Sequence, residues 1–213
     1  MRFVAATLGT LGLAVACLAA TAATRAEPNG APDRYDGARF DDQGRMLFPA
    51  EYREWIFLSA GRGMSYAPVA AEQPAPPFDN VFVNPAAYRS FREAGTWPDG
   101  TVLVLEIRGG TSHGSILEAG SFQTGEPLAT EVHVKDTARF GGDGWAFFGF
   151  GSKEPAAMVP REANCYSCHE ANTAVDRTFV QFYPTLLPIA RAKGTLTEAY
   201  LAREAAEQAA EAH

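Results

Sequence analysis

Residues Thr101-Val-Leu-Val-Leu-Glu-Ile107 read TVLVLEI, a β-branched and aliphatic run entered through Asp99-Gly100 and left through Gly109-Gly110. A run of that length bounded by turn residues is a strand, with apolar side chains directed to both of its faces. Outward from it, Asn80–Val83 (NVFV), Thr130–Val134 (TEVHV) and Trp145–Phe150 (WAFFGF) carry the same signal, each closed off by Gly, Pro, Asn or Asp. Between the first two strands, Pro85–Ala94 reads as a helix with Asn84 as N-cap, Pro at its first turn and Gly95 as the stop. Pro49–Trp55 suits a short helix opened by Pro, and Ile56–Leu58 continues as a β-prone run. The proline-rich stretch Tyr66–Pro77 is a loop that cannot join a sheet. The expected fold class is α+β: a single domain on an antiparallel β-sheet with flanking helices, followed by a helical C-terminal region.

The N-terminus begins with Arg2, runs apolar from Phe3 to about Ala20 and ends on small residues, the order of a secretory signal cleaved after Ala26. An alternative exit, acylation at Cys17, lacks the bulky aliphatic usual three residues upstream. Residues 27–45 are polar and rich in Gly, Pro and Asp, a loose arm ahead of a domain spanning 46–193. A tail over 194–213 contains the capping-box spacing Thr195-Leu-Thr-Glu198 before an Ala- and Glu-rich helix. Export to a periplasmic compartment leaves Cys165 and Cys168 alone in the mature chain, which excludes a disulfide framework. The net charge of −7, more negative once Arg2 and Arg25 leave, argues against nucleic acid or an anionic membrane as partner. It suits a small neutral or cationic ligand, or a basic soluble redox protein.

Asn164–Glu170 reads NCYSCHE. In C-x-x-C-H two thiols add across haem vinyl groups while the adjacent imidazole takes the iron, which requires three side chains on one porphyrin edge. A zinc site needs four ligands, and His113 and His133 would have to complete an unusual Cys2His2 order. A redox dithiol belongs at a helix start after a buried strand, and EPAAMVPREAN is not one. The motif is read as the anchor of one covalent haem c, with Cys165 and Cys168 as attachment points and His169 as the iron ligand. Met46, Met64, Met158, His113 and His133 are the candidates for a sixth ligand. Each has an ordinary structural account, so an open, five-coordinate iron is expected.

The blocks Pro49-x-x-Tyr-Arg-Glu-Trp55, Pro98-Asp-Gly-Thr-Val-x-Val-x-Glu106, Glu131-Val-His-Val-Lys-Asp136, Gly144-Trp-Ala-Phe147, the C-x-x-C-H and Phe179-x-x-Phe-Tyr-Pro184 together resemble the cytochrome P-460 and cytochrome c′-beta family. The resemblance implies a homodimer with a five-coordinate haem c over an antiparallel sheet, which either binds nitric oxide and related gases or oxidises hydroxylamine. In the hydroxylamine-oxidising members a lysine is cross-linked to the porphyrin. The matching position here is Leu105, which cannot form that bond; Lys135 is the nearest other lysine in a matching block. The resemblance also offers Glu131 as a catalytic proton acceptor, and Arg53 or Arg108 could pair with haem propionates. Phe57, Phe78, Phe82, Phe147 and Phe150 are the candidates for an aromatic wall over the iron.

Overall fold

The computed structural model describes residues 36–65 and 75–212. The expected signal segment, Cys17, residues 27–35 of the expected arm, most of the proline-rich loop and His213 lie outside the described residues. A 3₁₀ turn, Ala50–Glu54, leads into β1 (Ile56–Arg62), followed by β2 (Phe78–Val83), α1 (Pro85–Ala94), β3 (Val102–Thr111), β4 (Phe122–Lys135), the short α2 (Thr137–Phe140) and β5 (Trp145–Phe150). The remainder is helical: α3 (Asn164–Asn172), a 3₁₀ turn (Val180–Phe182), α4 (Leu187–Lys193) and α5 (Glu198–Glu211). The sheet order is β1-β2-β3-β4-β5, every neighbour antiparallel. Among the described residues no helix is long and apolar enough to cross a membrane.

Strand alternation gives the sheet two covered faces. Val102, Val104, Val132, Val134, Ala146, Phe148 and Phe150 turn to one core with Met46, Tyr52 and Trp55. Leu103 and Trp145 turn to the other, where Phe91, Trp97, Val180, Tyr183 and Leu186 close over them. The second face is the one the C-terminal helices cover, and it positions the site. Residues Asp36–Arg45 join the first core: Phe40 packs against Phe140 and Phe148, with ring centroids 6.1 and 5.8 Å apart.

Helix α1 has the bounds expected of it, and Gly95 closes it at φ 77°, where a Cβ would also lie 2.7 Å from Lys193. Its N-terminus differs from expectation. The Asn84 side chain does not cap the helix but ties β3 to the chain before it, accepting from Val102 N (2.8 Å) and donating to Asp36 O and Gly100 O. The carboxylate of Asp36 takes the capping role, accepting from Ala86 N at 2.9 Å. Helix α5 starts two residues later than the Thr195 spacing indicates. Its cap is Thr197, which accepts from Tyr200 N, because the Thr195 hydroxyl is committed to Gly95 O at 2.6 Å.

Candidate haem site

Helix α3 carries the C-x-x-C-H motif. Spacings of three and four residues place Cys165, Cys168 and His169 on one helix face, the arrangement in which two thiols and an imidazole reach a single porphyrin edge. The imidazole is oriented from behind: His169 Nδ1 lies 2.7 Å from the Arg177 carbonyl, which fixes Nδ1–H as donor and leaves Nε2 free for a metal. Phe179, Phe147 and His133 surround the ring edge-on, at centroid distances of 4.6, 4.7 and 5.0 Å. Burial lowers the pKa of His169 and outweighs the hydrogen bond to Arg177, so the ring is neutral, the form that ligates iron.

The Arg177 carbonyl is presented by an uncommon backbone. Asp176 and Arg177 both adopt positive φ, 44° and 61°, a region that a non-glycine residue occupies at a cost. The turn is pinned to the end of the sheet. The Asp176 carboxylate accepts from Lys135 Nζ at 2.6 Å and Trp145 Nε1 at 3.2 Å, and Lys135 also donates to Trp97 O at 2.8 Å. Trp97 Nε1 in turn donates to Thr178 Oγ1 at 2.8 Å. Lys135 is therefore a structural anchor, engaged away from any cross-linking role. From the other end, α5 holds α3: Arg203 donates to Ala171 O and to Asn172, while Thr197 binds Ala174 O and Thr173 O.

A cavity of about 320 Å³ separates the sheet from this helical layer. Val81, Leu103, Leu105, Ile107 and Phe147 form its sheet wall, and His169, Phe179, Phe182 and Tyr183 face them. Leu105 thus sits in the cavity wall, opposite Glu131 in the β3–β4 register. Glu131 lines the same space with an exposed side chain. Cys168 lines a second, adjoining cavity, and Phe179 and Phe182 form a wall common to both.

Of the five phenylalanines expected over the iron, Phe147 alone lines the cavity. Phe82 and Phe150 pack on the opposite face, against Tyr52 and Phe48 at 5.5 and 5.4 Å, and Phe57 packs on Phe82. Phe78 shares their side of β2, because alternation gives the cavity Asp79 and Val81 instead. Phe179 and Phe182 supply the missing aromatic bulk; their signal was the Phe-x-x-Phe spacing that forms the second 3₁₀ turn. Met46 is buried in the far core, and Met158 and His113 are exposed; Met64 and His133 line the cavity. No three His, Cys, Asp or Glu side chains converge as a metal cage among the described residues.

Arg53 and Arg108 do not reach toward the motif. They flank Glu106 on the opposite face, where the buried carboxylate also accepts from Tyr52 Oη and from Asn80 Nδ2 at 3.2 Å, and Arg108 Nε donates at 2.6 Å. Burial would raise the pKa of Glu106, but hydrogen bonds from Arg108 and Tyr52 and the charge of Arg53 hold it below its ordinary 4.5. Burial and the same carboxylate push Tyr52 up to about 12, so it remains a neutral donor.

The sequence profile of Cytochrome P460 matches residues 49–180, a span that includes every strand of the sheet, both motif cysteines and His169. The chain belongs to the cytochrome P460 family. Membership makes it a haem cytochrome, and the C-x-x-C-H face of α3, the free Nε2 of a neutral His169 and the adjoining aromatic-walled space fit that cofactor. No curated protein matches this cytochrome P460 chain. Helices α4 and α5 lie beyond the matched span, so the clamp that α5 places on α3 is a feature of this chain outside the family profile.

Proposed function

We propose that this cytochrome P460 is an exported mono-haem protein that binds nitric oxide or a related small nitrogen species. The haem is attached through Cys165 and Cys168 and is ligated by His169 Nε2 alone. The bound group supplies an iron centre with one coordination position open to small ligands. The observation that carries this reading is the hydrogen bond from His169 Nδ1 to Arg177 O, which presents Nε2 toward an apolar, aromatic-walled space. His169 holds the metal and the Asp176–Arg177 turn orients it. Leu105, Ile107 and Phe147 make part of the cavity wall apolar and the lining holds no lysine or arginine, so that uncharged ligands are favoured over anions. Leu105 in the cavity wall also supports a porphyrin without a lysine cross-link.

The test is denaturing mass spectrometry of holoprotein together with the absorption spectrum of its ferrous form. A mass increment of one haem retained after denaturation, lost stepwise in Cys165→Ala and Cys168→Ala, with a five-coordinate high-spin ferrous spectrum, is expected. A six-coordinate low-spin spectrum, or haem that extracts into acid solvent, overturns the reading. A second reading, oxidation of hydroxylamine with Glu131 as proton acceptor and a soluble redox protein as electron acceptor, is favoured by the carboxylates that line the cavity.

A further inference from the structure

Among the polar side chains that line the cavity are Asp79, Glu131 and His133, and binding of nitric oxide has no use for these three. Asp79 lines it from β2, in register with Gly61 on β1 and Ile107 on β3, neither of which offers a polar side chain. No hydrogen bond or ion pair engages the Asp79 carboxylate among the described residues, and burial alone raises its pKa above the ordinary 3.8. Glu131 lines the cavity from β4. His133, 7% exposed, stacks on Phe147 at 4.0 Å and leaves its Nε2 buried without a partner. The lining contains neither lysine nor arginine.

His133 Nε2 is a fully buried polar atom without a partner, which is costly, while the half-buried Asp79 carboxylate is an acceptor that a donor bound in the cavity can reach. A diatomic gas brings no donor. A small nitrogen compound with N–H or O–H groups brings several. We propose that Asp79 is the specificity-determining residue of this cavity: its unpaired carboxylate accepts a hydrogen bond from a small protic nitrogen ligand and selects it over aprotic gases. Glu131 and His133 Nε2 provide further polar points on the same wall. The inference rests on the ligand-binding reading above and names the chemical class which that site prefers.

The experiment is spectral titration of wild-type, Asp79→Val and Asp79→Asn holoprotein with hydroxylamine and, separately, with nitric oxide. Loss of one charge-assisted hydrogen bond weakens hydroxylamine binding at least about tenfold in Asp79→Val, with a smaller loss in Asp79→Asn, whose amide oxygen still accepts. Nitric oxide affinity stays within about twofold of wild type, a discrimination a merely structural role would not produce. Equal weakening of both ligands, or unchanged hydroxylamine affinity in both variants, overturns the proposal while leaving the ligand-binding function intact. A wild-type holoprotein that binds neither ligand overturns both. Asp79→Asn preserves shape and hydrogen-bonding capacity, so it decides the matter if Asp79→Val fails to fold.

Discussion

Asp176→Ala tests the chain of contacts that runs from the sheet to the proposed iron ligand. The substitution removes the acceptor of Lys135 Nζ, 2.6 Å away in a pair whose side chains are 16% and 22% exposed, and the acceptor of Trp145 Nε1 at 3.2 Å. A charge-assisted bond at that burial is worth about 1.5–3 kcal/mol and the indole bond about 1 kcal/mol. Alanine at φ 44° adds about 1 kcal/mol of backbone cost that aspartate, which tolerates the left-handed region, largely avoids. Lys135 keeps its bond to Trp97 O, which offsets part of the loss, so the net destabilisation is about 3 kcal/mol. With a urea dependence of about 2 kcal/mol/M, the unfolding midpoint of holoprotein falls by roughly 1.5 M. Asp176→Asn, which retains an acceptor and the backbone tolerance, loses about half as much. In the ferrous protein the iron–histidine stretching frequency drops, because the Arg177 carbonyl no longer holds His169 Nδ1–H and the imidazole becomes a weaker donor. A midpoint within about 0.3 M of wild type would refute the anchoring. A destabilised variant with an unmoved iron–histidine stretch would refute its link to His169.

Stability depends on pH through Glu106. Its folded pKa is depressed below 4.5, so its contribution is complete above that value and is lost as pH falls through the folded pKa; urea midpoints from pH 7 to 3 decline in wild type and flatten in Glu106→Gln. Arg108→Ala strips the buried carboxylate of its 2.6 Å partner and costs about 2–4 kcal/mol, while the double variant Glu106→Gln/Arg108→Ala recovers part of that loss in equilibrium unfolding. Leu105→Lys places an amine in the cavity wall at the position where the family resemblance expects the cross-link. Denaturing mass spectrometry should detect a further covalent bond to the porphyrin together with a red-displaced Soret band, and an unaltered spectrum would count against that register.

Much of the scaffold was legible because its signals are local. The run WAFFGF is the strand Trp145–Phe150 from end to end, and Pro85–Ala94 is helix between the expected Pro and Gly. That Cys165, Cys168 and His169 share one helix face follows from their spacing alone. Which face each strand turns to the cavity was not legible, since TVLVLEI is apolar on both sides and only pairing with β2 and β4 decides that Leu103, Leu105 and Ile107 look toward His169. The misplaced phenylalanines follow from that ambiguity. Arg53 and Glu106 are distant in sequence, and nothing local to either announces the ion pair they make on the far face. The role of Arg177 is carried by a backbone carbonyl, which leaves no trace in residue identity. Asp79 falls just outside the strand Asn80–Val83 read from the sequence, and only its place in β2 puts it in the cavity wall.

The hold of α5 on α3 sets an order of maturation. Thr197 and Arg203, which secure the carbonyls at the end of the motif helix, follow both thiols in the chain. In a chain made N-terminus first, Cys165 and Cys168 therefore precede the contacts that restrain their helix. The hydrogen bonds from Thr197 and Arg203 then close over the far end of the helix that carries both thiols.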